Sequence, residues 1–412
     1  MNASEGWQRL ESRLEAIDRR VRSLESDPSR RNSFIPYIVD RDSPYTNVDG
    51  QYPDHDGQPL LMMSGYSYLG LGGDERVVEA AKAAVEQYGT GTHGVRALAG
   101  SIPLHRELEA ELARLLGREE ALAFGSGYAA NVGTIGALCG PGDTILIDKI
   151  DHASIVDGCQ LSGAKVTRFR HNDPGHLDRR LQDSDDSGLR LVIVDSVYSM
   201  DGDIAPLPQL REVCDRHGAL LMVDEAHALG VIGRSGLGIE DHFDYEHLVD
   251  IKLGTLSKGI PATGGWVVGS SRLIQHLKYA ARPFLFSAAL APAQAGAALA
   301  ALRILESEPE RVTHIQNEAA RLRAILNEAG LQTGLSETAV IPLIAGSDEG
   351  AYDLATACRK AGVIGIPVVS PAVPTSLARL RIAVTANHTK AHIDTAAEVF
   401  IKAARECNLI EA

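Results

Sequence analysis

Lys258 and Asp224 are the two residues whose types and settings most clearly point to chemistry. Lys258 lies in IKLGTLSKGIPATGG (251–265), where an apolar run ends at Gly254 and Thr255, Ser257 and several glycines surround the lysine. Burial and neighbouring cations lower a lysine's pKa and free its amine to attack a carbonyl as a Schiff-base nucleophile. Asp224 ends a second apolar run in LMVDEAHALG (221–230), with His227 just beyond it. A carboxylate at the end of a buried strand is costly unless a cation meets it.

A pyridinium nitrogen is such a cation. A pyridoxal cofactor needs a lysine for its aldehyde and an acid for its ring nitrogen, so that the ring can act as an electron sink. Lys258 alone reads equally well as a solvated turn residue; the pair is what points to the cofactor. The other reading of Asp-Glu-Ala-His, an acidic box of the helicase or metal-binding kind, calls for an upstream glycine-rich loop ending in Gly-Lys-Ser/Thr. No such loop follows a strand in this chain.

Further candidates come from the elements that must position this pair. From Glu120 onward, apolar runs end at Phe124, Asp148, Phe169, Asp195, Asp224, Gly254 and Gly269, and helical stretches such as 127–139, 152–161 and 206–217 lie between them. That alternation predicts an α/β fold, a mostly parallel central sheet with helices on both faces. Ligands bind beyond the carboxyl ends of such strands. One rim therefore collects Ser126, Gly127, His152, Ser199, Asp224, His227 and Lys258. FGSGYAAN (124–131) is a strand, a Gly/Ser turn and a helix start, whose free N–H groups suit a phosphate. His152 opens another helix, where it could lie flat on a planar ring or serve as an ordinary loop histidine.

Around this sheet the chain divides into an N-terminal helix and irregular segment (1–73), a large domain (74–305) and a smaller α/β C-terminal domain (306–412). Apolar residues at three- and four-residue spacing over 5–26 predict an amphipathic helix. GTGTHGVRALAG (89–100), which carries His93 and Arg96, is a glycine-rich loop that lets the backbone approach a ligand closely. Helices are predicted near 289–306, 308–329 and 388–406, and strands near 339–344 and 378–385. Alternation in ARLRI puts Arg379 and Arg381 on one strand face. One of them at the cofactor rim could clamp a carboxylate bidentately, and the other reads as part of a solvated face.

Composition bounds the rest. The formal charge of −14 with no basic stripe argues against nucleic acid as a partner. Five dispersed cysteines without CxxC spacing read as reduced thiols, with no zinc site and no disulfide framework. No apolar run approaches the ~18 residues that span a bilayer. The N-terminus has neither the apolar core of a secretory signal nor the acid-poor character of a transit peptide, so the expectation is a cytoplasmic protein with no membrane span.

These motifs taken in order resemble those of the α-oxoamine synthases, the pyridoxal-phosphate enzymes of fold type I that include amino-oxononanoate synthase, aminolevulinate synthase and serine palmitoyltransferase. The resemblance runs from about Tyr66 to Thr389 and rests on YLGL, GTGTHGVRALAG, SGYAAN, DHASIVDG, YSMDGDIAPL, VDEAHALGVIG, GTLSKGIPATGGWVVG and RLRIAVTANHT. It implies a fold-type I transferase binding pyridoxal 5'-phosphate, with Lys258 as its Schiff-base residue and Asp224 at its ring nitrogen. It also implies His152 on the ring face, His227 and Ser199 at the ring oxygen, and Ser126, Gly127, Tyr128 and Thr255 at or near the phosphate. Arg381 falls where the amino acid's carboxylate binds, and Ser67 stands near the substrate where many members have Asn.

The implied reaction condenses an α-amino acid with an acyl thioester, on coenzyme A or a carrier protein, and releases carbon dioxide. The implied assembly is a homodimer with its active site at the subunit interface. Ala288 stands where a hydroxyl residue often reaches the neighbouring subunit's phosphate, and Ala372 replaces a threonine seen in some members. The alternatives are another fold-type I activity, an aminotransferase or a lyase, and a non-catalytic partner subunit, which would be expected to lack the lysine.

Overall fold

A computed structural model describes residues 44–46 and 59–411 except 186, together with positions 7, 10, 11, 14 and 15. The helix expected over 5–26 lies outside the described residues apart from those five positions, which are helical.

The chain first lays down β1 (Tyr45–Thr46) and β2 (Leu60–Met62), then α1 (Glu75–Tyr88), capped by the Asp74 side chain, and α2 (Pro103–Leu115). Strand and helix then alternate. β3 (Glu120–Phe124), α3 (Gly127–Leu138), β4 (Thr144–Asp148), α4 (Ala153–Ser162) and β5 (Lys165–Phe169) are followed by α5 (Pro174–Gln182), β6 (Arg190–Asp195), α6 (Leu207–His217) and β7 (Leu220–Asp224). The short α7 (Ile239–Phe243) leads into β8 (Ile251–Ser257) and β9 (Pro261–Gly269), and α8 (Ser271–Ala280), α9 (Arg282–Phe286) and α10 (Pro292–Ser307) follow.

Strands β3 to β9 form one seven-stranded sheet in the order β3-β9-β8-β7-β6-β4-β5. Six strands run the same way; β9 is antiparallel to both neighbours. Alternating side chains feed two cores. Leu146, Val192, Val194, Leu221 and Val223 face one layer with α2, α5, α6 and α10. Ile145, Ile147, Leu191, Ile193 and Met222 face the other, with α3, α4, α8 and α9. Each such side chain contributes about 1.5–3 kcal/mol when fully buried. Trp266 on β9 pairs across the sheet with Gly254 on β8, and a Cβ at 254 would lie 2.6 Å from the indole ring. Gly254 therefore lets the tryptophan lie flat over β8, just before the strand delivers Lys258.

A further core is built on the sheet β10-β13-β12. Its elements are α11 (Glu310–Glu328), β10 (Val340–Ile344), α12 (Asp348–Lys360), β11 (Val363–Ile364), β12 (Ile366–Val368), β13 (Arg379–Ala383) and α13 (Lys390–Glu406). β2 pairs with β11, so Leu61 and Met63 enter this core from the other end of the chain. No helix among the described residues is long and apolar enough to cross a membrane.

Candidate functional site

Parallel strands ending at one edge create the site. β6 and β7 bring Asp195 and Asp224 into register as direct neighbours. β8 runs three residues past the end expected at Gly254, to Ser257, because β9 folds back on it and pairs Ser257 with Pro261. An irregularity between Thr255 and Ser257 breaks the register there. Such bulges re-aim the residues beside them, and Lys258 follows at once. α3 and α4 start at the same edge, capped by the side chains of Ser126 and His152.

The resulting cavity, of about 270 Å³, is lined by Ser126, Gly127, Tyr128, His152, Ser199, Asp224, His227, Thr255 and Lys258. All nine residues expected at the cofactor thus meet in one place. Asp224 Oδ2 accepts from Asn131 Nδ2 at 2.7 Å, and its Oδ1 accepts from the Ala226 N–H at 2.8 Å. Lys258 Nζ lies 2.9 Å from His227 Nε2. Burial lowers the lysine's pKa, against the opposing charges of Asp224 and Asp195. Burial likewise lowers that of His152.

At the other end of the cavity, the N–H groups of Gly127 and Tyr128 are the first two of α3 and have no intrahelical acceptor. The Ser126 hydroxyl accepts from Ala129 N, and a Cβ at Gly265 would come within 2.3 Å of the Ser126 carbonyl, so a glycine there lets β9 approach this turn. The Thr255 hydroxyl donates to the Gly264 carbonyl at 3.0 Å, so it lines the cavity with its proton already committed. Tyr128 is half exposed and its hydroxyl bonds Asp157. This donor set fits pyridoxal phosphate. A helix start with free N–H groups suits the phosphate, a buried acid suits the ring nitrogen, and a buried amine suits the aldehyde.

One expectation changes. Arg379 and Arg381 do share a strand face, but neither is solvated: they are 1% and 3% exposed. Arg379 donates to Asp201 Oδ1 at 2.7 Å and to the Met200 carbonyl at 2.9 Å. Arg381 donates to the Ser199 carbonyl at 2.7 Å and to Tyr68 Oη at 3.2 Å, and meets no carboxylate among the described residues. The loop 89–100 turns Arg96 away from the cavity into a two-pronged pair with Glu109, at 2.7 and 3.0 Å. Ser67 is half-buried between Tyr66 and Tyr68, outside the cavity lining.

Asn131 and Ser154, both lining the cavity, escaped the sequence reading. Asn131 Nδ2 also donates to Ser154 Oγ at 2.9 Å, and that hydroxyl lies 2.7 Å from His152 Nδ1. Asn131 stands one helical turn after Gly127, and that spacing was the available signal. Asp195 Oδ2 accepts the His152 N–H at 3.1 Å. Burial and the neighbouring Asp224 hold its carboxyl well above the usual range. Tyr66, 43% exposed, lies over the Arg381 guanidinium at 4.7 Å.

Comparison with known proteins agrees with this geometry. Residues 59–400 match the family model for aminotransferase class I and II. The chain is 42% identical over 356 residues to an 8-amino-7-oxononanoate synthase of Symbiobacterium thermophilum, covering 86% of this chain and 91% of that one. It is 40% identical over 354 residues to a serine palmitoyltransferase of Bacteroides thetaiotaomicron, covering 86% and 90%. Its fold matches that of a serine palmitoyltransferase from S. paucimobilis with bound PLP, with a TM-score of 0.91, 31% identity and coverage of 97% and 99%. The chain belongs to the α-oxoamine synthase family and is a pyridoxal-phosphate-dependent acyltransferase of fold type I.

Proposed function

We propose that the enzyme condenses an α-amino acid with an acyl thioester, on coenzyme A or a carrier protein, to give an α-amino ketone, a free thiol and carbon dioxide. The observation that carries this reading is Arg381, a buried cation with no carboxylate partner among the described residues, three hydrogen bonds away from Lys258 through Tyr68 and His227. A guanidinium in that position suits the amino acid's carboxylate, which it would bind with two parallel, charge-assisted hydrogen bonds.

When bound, pyridoxal phosphate supplies the electron sink for the α-carbon. Asp224, steadied by Asn131 and the Ala226 N–H, keeps a proton on the ring nitrogen. The Gly127 and Tyr128 N–H groups hold the phosphate. Lys258, whose burial favours the neutral amine, takes the α-proton. His152 carries its Nδ1 against Ser154 and turns Nε2–H outward as a donor for the acyl carbonyl oxygen. Tyr66, whose ring lies beside His227, Lys258 and Arg381, contributes the substrate side of the opening.

The test is to supply the purified, pyridoxal-phosphate-loaded protein with amino acids and acyl thioesters, and to measure thiol and carbon dioxide together. Both should appear in equal amounts, and Lys258→Ala should abolish both along with the loaded protein's visible absorbance. Normal turnover in that variant would remove Lys258 from the mechanism. Transamination without thiol release would favour the aminotransferase alternative.

We further propose a homodimer with the site beside its interface. Leu98 and Phe286 are 87% and 70% exposed on two segments joined by the Ala289 N–Gly94 O hydrogen bond, and they offer an apolar face for a second copy. A monomer by sedimentation at micromolar concentration would contradict this.

A further inference from the structure

Four side chains form an unbroken line across the site. Arg381 Nη2 donates to Tyr68 Oη at 3.2 Å, Tyr68 Oη lies 2.8 Å from His227 Nδ1, and His227 Nε2 lies 2.9 Å from Lys258 Nζ. Tyr68 is fully buried, with its ring edge-on to the imidazole.

The direction of each bond follows from what each group can do. A guanidinium has donors only, so Tyr68 Oη accepts from Arg381 and its single proton is left for His227 Nδ1. Burial, before any neighbouring charge, pushes His227 well below the usual imidazole range, so the ring is neutral. A neutral imidazole that accepts at Nδ1 carries its proton on Nε2. That N–H points at Lys258 Nζ, and an amine accepts a hydrogen bond only with a free lone pair.

We infer that Arg381 and Tyr68 together fix His227 as its Nε2–H tautomer, and that this tautomer presents Lys258 as the free amine. Tyr68 is then a positioning residue: it acts on the lysine through the histidine. The inference deepens the proposed function and rests on it for the role of Lys258, but the proton positions themselves need no substrate to be read.

The test is ¹⁵N NMR of histidine-labelled protein, with and without pyridoxal phosphate, in which the His227 signals are identified by their loss in H227Q. The wild type is expected to show a single tautomer protonated at Nε2. Y68F keeps the ring and removes the group that fixes Nδ1, so it should show both tautomers. The pH at which the unloaded protein captures pyridoxal phosphate half-maximally should also rise by about one unit, an approximately tenfold loss of free amine at neutral pH. Asp224, Asp195, Arg381, His152 and Tyr66, the other charged or titratable groups facing the lysine and its histidine, are unchanged in Y68F.

A wild type protonated at Nδ1 overturns the inference, and so does a Y68F that keeps Nε2–H as its sole tautomer, whatever its capture profile. If Y68F does not fold, R381M carries the same test: mixed tautomers support the inference and a sole Nε2–H form overturns it. Neither readout uses an amino acid or an acyl donor. Loss of the tautomer with normal thiol release, or the reverse, separates this inference from the reading of the reaction.

Discussion

Arg379 and Arg381 stand two residues apart on β13, equally buried, and replacing each by Met should produce opposite phenotypes. Arg379 holds Asp201, the Met200 carbonyl and, through Nε, the Leu377 carbonyl at 2.8 Å. R379M strips three acceptors of their donor at a 1% exposed position. It should cost about 2 kcal/mol of stability, since the guanidinium is buried but Asp201 is 35% exposed and can be rehydrated. Arg381 has two acceptors among the described residues, and R381M should cost about 1–2 kcal/mol.

On substrate the order reverses. Two charge-assisted hydrogen bonds to a carboxylate are worth roughly 3–4 kcal/mol together, so R381M should lower kcat/KM for the amino acid by about 10²–10³-fold, mainly through KM. R379M should stay within about tenfold of the wild type by the same conversion. The assay pairs denaturant midpoints with initial rates of thiol release at varied amino acid. A hundredfold loss in R379M with R381M spared would refute the assignment. A fall in kcat alone in R381M would confine that arginine to the His227 chain.

Two other perturbations reach the same edge of the sheet. His171 lies 3.1 Å from Asp148 and 2.7 Å from Asp203; burial lowers its pKa, but the two carboxylates outweigh this and raise it to about 10. A raised folded-state pKa means the stabilisation is complete below the unfolded imidazole's value near 6.5 and is lost as pH climbs through about 10. The wild-type denaturant midpoint should therefore fall across that window. H171Q should be less stable by about 3 kcal/mol at pH 6 and flatter with pH, and matching profiles would dismiss the bridge. N131A removes a donor from Asp224 and another from Ser154, and should weaken pyridoxal phosphate binding about 10–100-fold in an absorbance titration. Unchanged affinity would make Asn131 a packing residue only.

Most of the frame was legible because aspartates punctuate it. Asp148, Asp195 and Asp224 each close an apolar run, and each proves to be the last residue of its strand. The reversal of β9 was also open to inspection: only 258–260 separate it from β8, far too few residues for a parallel crossover. Period-two spacing correctly put both arginines of β13 on one face, but not which one was already engaged. That depended on Asp201, 178 positions away, and no local pattern carries a contact of that range. Tyr68 lay inside a quoted motif, yet its value comes from a histidine 159 positions on and an arginine 313 positions on. Site chemistry was visible residue by residue; the hydrogen bonds that set proton positions were not, because they join residues far apart in sequence.

Those bonds give the two histidines of the cavity one tautomer from unrelated sources. The amide nitrogen of Asn131 can only donate, so Ser154 Oγ accepts from it and directs its own proton to His152 Nδ1, where the Ser154 N–H also points at 3.2 Å. His152 is thereby left with Nε2–H, the same form inferred for His227 from Arg381 and Tyr68. One donor is fixed by α3 and the other by β13, and the second of them meets Lys258 Nζ. Donors fixed in advance need no reorientation when charge develops on a reacting oxygen, and that saving is the larger part of what a site contributes to rate. It follows that the most damaging single changes need not touch the cofactor at all: substitutions at Asn131 or Tyr68 leave the lysine and the aspartate in place, yet free an imidazole to offer a lone pair where the reaction needs a proton.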